Sequence, residues 1–135
     1  MGIPDSLNGV ELKGLLRDMY REIFANPDSA PRFFSEDYAQ TTDGHSISYA
    51  EFIEHIHHVI SVTERIEIEV VDVIRDGNRI ADRHTVKLIH KDGTNSLLEV
   101  YLFGTLHNGR FTRVIETTRL IEGNEASRAL ATEVR

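Results

Sequence analysis

Apolar and polar positions alternate along this chain with two different periods, and the change of period divides it in half. From Asn8 to Ala25, Leu12, Leu15, Leu16, Met19, Tyr20, Ile23 and Phe24 recur every three or four residues, the spacing of one helical face. Asn8 with Glu11 three residues later reads as a capping box, and Asn26-Pro27 ends the helix. A short second helix is expected over about Asp28 to Phe34, followed by an extended piece from Asp37 to Thr42 and an Asp43-Gly44 turn. The third helix begins at a clear signal: Ser48 and Glu51 form a capping box, and Ile47 and Phe52 are placed as a hydrophobic staple. From Thr63 onward the period is two, as in strands with one buried face.

Turn dipeptides cut this second half into four long strands. Asp92-Gly93 and Asn108-Gly109 are the pairs that two-residue type I′ hairpins favour, because both central residues need positive φ. Asp76-Gly77-Asn78 reads as a three-residue loop. On that register His84, Tyr101 and Glu116 stand in one row on one face of the sheet. Val86, Glu99 and Thr118 form the row on one side, and Asp82, Phe103 and Val114 the row on the other. A mostly apolar face with His, Tyr, Asp and Glu at its middle reads as a pocket floor. The expected architecture is α+β: a curved antiparallel sheet, made of a four-strand meander plus a short first strand, with three helices over its concave face and a pocket between them.

Composition narrows the chemistry. The chain has 135 residues, which we read as one domain over residues 1–122 followed by a polar C-terminal tail, 123–135. A net charge of −7 supplies no basic patch for phosphates, so nucleic acid is not expected as a partner. There is no cysteine, which removes disulfides, thiolate zinc sites and cysteine nucleophiles and is compatible with a cytoplasmic location. No apolar run approaches the roughly 20 residues that span a bilayer, so no membrane partner is expected. No Gly-x-Ser-x-Gly and no glycine-rich strand-to-helix loop is present. His55, His57 and His58 crowd the third helix without a metal-binding spacing. That face is read as solvated, with His55 leaning toward the pocket and no metal expected.

Three stretches carry a family resemblance: Phe34-Ser35-Glu36-Asp37-Tyr38, Tyr49-Ala50-Glu51-Phe52-Ile53-Glu54-His55, and Glu99-Val100-Tyr101-Leu102-Phe103 followed by Asn108-Gly109-Arg110 and Val114-Ile115-Glu116. With the order of elements, they make the chain from about Leu7 to Ile121 resemble the nuclear transport factor 2-like superfamily, and within it the SnoaL-like, polyketide-cyclase-like branch. The last strand reads Glu116-Thr117-Thr118-Arg119, where many SnoaL-like chains carry an aromatic residue followed by Asp. The resemblance implies a cone-shaped pocket between sheet and helices for a small apolar, polyketide- or steroid-like molecule, no cofactor, and a homodimer formed through the open sheet face. Superfamily members include isomerases, cyclases, dehydratases and hydrolases as well as binders without activity, so function rests on the site.

The residues themselves assign roles on that face. Glu116, His84 and Tyr101 are the catalytic candidates: a carboxylate in an apolar pocket has its pKa raised toward neutrality, an imidazole can orient or share its proton, and a phenol can donate to a developing oxyanion. Tyr38, Gln40, His55, Asp82, Glu99, Phe103 and Thr118 are the candidates for lining the pocket. Two readings stay open, an acid-base enzyme needing no cofactor and a non-catalytic ligand-binding or dimeric scaffolding module.

Overall fold

The computed structural model describes residues 2–123, so the expected tail, apart from Gly123, lies outside the described residues. Its elements are α1 (Gly9–Ala25), a 3-10 helix (Pro27–Arg32), β1 (Phe34–Thr42), β2 (His45–Ser48), α2 (Tyr49–Val62), β3 (Thr63–Asp76), β4 (Arg79–His90), β5 (Asn95–His107) and β6 (Arg110–Glu122). The strands form one curved sheet in the order β2-β1-β6-β5-β4-β3, with β1 parallel to β6 and the other neighbours antiparallel. The class is α+β, as the pattern predicts.

The element count differs from expectation for local reasons. The sheet has six strands because the Asp43-Gly44 turn, with φ of 50° and 86°, folds His45–Ser48 back onto β1 before α2 begins. The second helix is a 3-10 turn: Pro31 lies inside it without an N–H, and Asn26 caps it through the Asp28 N–H. Asn8 caps α1 by accepting from the Gly9 N–H, in place of a reciprocal box with Glu11. At α2 the Ser48–Glu51 capping box is present in full.

Both α-helices bury their apolar stripes on the same face of the sheet. Leu12, Leu16, Met19 and Ile23 of α1, with Phe52 and Ile56 of α2, share one core with Ile68, Val70, Ile80, Val100 and Val114. Burying side chains of this size stabilises by roughly 1.5–3 kcal/mol each.

Strand register decides which polar groups enter that core, and it departs from the two-residue reading. At Asp92-Gly93 the loop has three residues: the His90 N–H bonds the Thr94 carbonyl and the Gly93 N–H bonds the His90 carbonyl. At Gly77-Asn78 the loop has two, since Asp76 pairs with Arg79. Asn108-Gly109 is the expected two-residue turn, but the register slips by one residue at Thr112. A further slip at Val71 turns Val73 inward and leaves Ile74 exposed. Each slip flips the following side chains to the other face. The inner rows are therefore Val70–His84–Val100–Thr118 and Val73–Asp82–Leu102–Glu116, and Tyr101 pairs with Arg83 on the outer face.

Candidate functional site

The inner rows and the two α-helices enclose a cavity of about 110 Å³. Most of its wall is apolar, from Met19, Ile23 and Phe24 of α1, Phe52, Ile56 and Val59 of α2, and Val86, Leu88, Leu98 and Val100 of the sheet. Tyr20, Tyr38, Gln40, His55, His84, Glu116 and Thr118 supply the polar groups. A second hollow of about 190 Å³, bordered by Arg21, Ile60 and Arg65, shares Phe24 with it.

His84 is held from two sides. Its Nδ1 lies 2.6 Å from Oδ1 of Asp82, two residues back on the same strand face, and both side chains are buried. The other oxygen of Asp82 accepts a hydrogen bond of 2.5 Å from the Tyr20 hydroxyl, whose ring lies against the imidazole. A buried carboxylate costs several kcal/mol unless donors satisfy it, and here both oxygens are occupied. With Nδ1–H donating to Asp82, Nε2 is the lone-pair nitrogen of a ring that lines the cavity. Burial pushes the Tyr20 phenol well above its ordinary range, and the Asp82 charge and hydrogen bond add to this, so the hydroxyl stays a donor.

Glu116 faces the same space from β6. Burial raises its pKa; the His84 imidazole and the Thr42 hydroxyl pull it down, while Asp82 and Asp43 push it up, and the balance is upward. Thr42 donates to its Oε1 at 2.9 Å, and behind Thr42 stand Gln40 and Tyr38. Asp43, in the β1–β2 turn, accepts from the Thr118 N–H at 2.9 Å and from the Thr118 hydroxyl, pinning this hairpin to β6.

The expected candidates divide into three groups. His84, Glu116, Tyr38, Gln40, His55 and Thr118 line the cavity. Asp82 is on the inner face but behind His84, where it orients the imidazole. Tyr101, Glu99 and Phe103 are on the outer face, a correction that follows from the three-residue loop before β5. The Tyr101 hydroxyl donates to Glu99, whose carboxylate also receives Arg83 and Arg119, while Arg83 also pairs with Asp72. These partners, the Tyr101 hydroxyl first, hold the Glu99 pKa below the ordinary glutamate range. Three contributors were not singled out from the sequence: Tyr20, read as core on the α1 stripe; Thr42, next in the two-residue series after Tyr38 and Gln40; and Asp43, read only as a turn residue. The alternation on β1 was the available signal for Thr42.

Among the described residues no group of three or more His, Asp or Glu is placed to hold a metal ion, and no helix is long and apolar enough to cross a membrane.

A curved sheet with helices closing one face over a pocket defines the nuclear transport factor 2-like fold, and comparison with solved structures finds that fold throughout. An NTF2-like protein of unknown function from Cytophaga hutchinsonii superposes with a TM-score of 0.59 at 10% identity, over 82% of this chain and 100% of that one. IdmH, a candidate polyketide cyclase from Streptomyces antibioticus, gives 0.67 at 11% identity over 83% and 92%. TerC, co-crystallized with polyporic acid, gives 0.65 at 17% identity over 90% and 98%. In sequence, the chain is 28% identical over 111 residues to the uncharacterized protein C11D3.04c of Schizosaccharomyces pombe, covering 82% of this chain and 85% of that protein. No family model matches the chain.

Proposed function

We propose that the protein is an acid-base enzyme of the SnoaL-like kind that takes a small, mostly apolar carbonyl compound and moves a proton on it using side chains alone. The observation that carries this reading is His84, held by the buried Asp82 behind it, lining the same cavity as Glu116, whose carboxyl pKa is raised. A donor and an acceptor face one apolar space, which is what enolisation requires. His84 Nε2 takes the proton from the carbon beside the carbonyl and becomes an imidazolium stabilised by Asp82. The Glu116 carboxyl gives its proton to the carbonyl oxygen and becomes a carboxylate. The product is the enol, and the reverse transfers restore both groups. Rearrangement, ring closure or elimination can all begin from that enol, so the chemistry supports an isomerase, cyclase or lyase. The likeness to IdmH and TerC supports a polyketide-like or polycyclic ligand.

The test uses 2-tetralone, a compact apolar ketone, in deuterated buffer, with exchange at the carbon beside the carbonyl followed by proton NMR. Wild-type protein is expected to accelerate exchange above an equal concentration of free imidazole, and His84→Gln to lower it about 100-fold or more. Binding of the ketone with exchange no faster than the imidazole control would instead make the pocket a ligand-holding module.

The same proposal includes a homodimer through the open sheet face and a cytoplasmic location. Tyr101, Phe103 and Ile115 lie side by side on that face with 47%, 48% and 55% of their surface exposed, an apolar patch next to the charged Arg83–Glu99–Arg119 cluster. The location rests on the cysteine-free composition.

A further inference from the structure

Three inward-facing side chains of β1 stand in file beside the site. Tyr38, Gln40 and Thr42 are all buried, and each donates to the next: the Tyr38 hydroxyl to Gln40 Oε1 at 2.7 Å, Gln40 Nε2 to Thr42 Oγ1 at 3.1 Å, and the Thr42 hydroxyl to Glu116 Oε1 at 2.9 Å. We propose that this file sets the direction of hydrogen bonding at Glu116, committing Oε1 to accept so that the proton given to a ligand sits on Oε2. The inference rests on the reading of Glu116 as the proton donor and makes Tyr38, Gln40 and Thr42 positioning residues for it.

The direction is dictated by the groups at the far end. The Tyr38 ring lies between Phe34 and Phe52, at centroid distances of 4.8 and 5.0 Å, and its hydroxyl donates to Gln40 Oε1. A phenol has a single hydrogen, and an amide has chemically different ends. Donation by Tyr38 therefore places the amide oxygen toward Tyr38 and the NH2 toward Thr42. An NH2 only donates, so Thr42 Oγ1 accepts, and its own hydrogen is left for Glu116. Reversing the file would need Gln40 to flip, Glu116 to donate from Oε1, and the Tyr38 hydroxyl to give up its donation to Gln40. Backbone pairing holds the last link in place: Thr42 is the register partner of Glu116, and the Asp43 N–H bonds the Glu116 carbonyl.

Other groups also act on this carboxyl, namely His84 and Asp82 from β4, Asp43 from the β1–β2 turn and Tyr20 from α1, with His55 of α2 lining the same cavity. Tyr38→Phe replaces none of these side chains, and Tyr38 is three hydrogen bonds away from Glu116 along the file. That makes Tyr38 the decisive position.

The experiment is a carbon-13 NMR titration of the Glu116 carboxyl in side-chain-labelled protein, assigned with Glu116→Gln. Thr42→Val is expected to raise its midpoint by about half a pH unit or more, the size of one lost hydrogen bond to the charged form. Thr42→Ser, which keeps the hydroxyl, is expected to titrate with the wild type. Tyr38→Phe is expected to move the midpoint in the same upward direction, because an unbound amide no longer obliges Thr42 to donate. A Tyr38→Phe midpoint equal to wild type, or Thr42→Val and Thr42→Ser titrating alike, overturns the proposal. The readout needs neither ligand nor turnover, so it is decided separately from the 2-tetralone exchange.

Discussion

The ring of Tyr20 lies 4.4 Å from that of His84, tilted by 31°, while its hydroxyl reaches past the imidazole to Asp82. One helix residue thus both covers the proposed base and satisfies the carboxylate behind it. Tyr20→Phe keeps the ring and leaves one oxygen of a buried carboxylate without its donor. A loss of about 1–3 kcal/mol in urea unfolding is expected. A change within error of zero would mean that Asp82 finds another donor.

Gly104 of β5 faces the ring of Phe111 across the hairpin so closely that an added Cβ would lie 2.4 Å from the ring Cε1. Gly104→Ala is expected to cost about 1–3 kcal/mol through overpacking. Adding Phe111→Leu should recover part of that loss, and a double-mutant cycle reads the coupling directly. Strict additivity would rule out the clash as the cause.

The native state holds the Glu116 proton more tightly than the unfolded chain does, because burial raises its pKa. The stabilising contribution is fully present below the ordinary glutamate range and is lost as pH rises through the raised native value. Denaturation of the wild type and Glu116→Gln across this window should show the wild type losing stability relative to the variant as pH increases. The opposite slope would contradict the burial argument.

Two glycines are expected to respond with opposite signs. Gly14, within α1, has open space where a Cβ would go, so Gly14→Ala should stabilise by roughly 0.5–1 kcal/mol. Gly93 also has open space, but its φ of +87° disfavours a side chain, and Gly93→Ala should cost about 1–2 kcal/mol. Thermal melts of both variants test the pair.

If the outer face pairs two chains, charge placed on its apolar patch should separate them. Ile115→Lys is expected to convert a two-chain mass to a one-chain mass in light scattering while leaving the circular dichroism spectrum unchanged. A wild type that runs as a monomer at tens of micromolar would end the dimer proposal.

Much of this fold is legible in the residues because the signals are local. The α1 stripe, the Ser48–Glu51 box and the Asn108-Gly109 turn each act within a few positions, and the elements form where they indicate. Strand register is a cumulative property, and a dipeptide such as Asp92-Gly93 fits loops of two or three residues equally well. That single residue moved Tyr101, Glu99 and Phe103 to the outer face. Glu116 reaches the inner face as expected because the slip at Thr112 reverses the earlier one. Asp82 and His84 needed no register at all, since neighbours two apart on one strand share a face wherever the strand pairs.

The bonds that build the site join distant parts of the chain. Tyr20 and Asp82 are 62 positions apart, and Thr42 and Glu116 are 74. A chain emerging in order can complete the β3–β4–β5 meander before β6 exists, but β1 finds its parallel partner only when β6 arrives. The hydrogen-bonded file on β1 thus has nothing to act on until nearly all the described chain has been made. Closing such long loops is entropically costly and comes late. The proposed chemistry is therefore switched on by the completion of folding itself, and a partly folded chain carries every one of these residues without the activity.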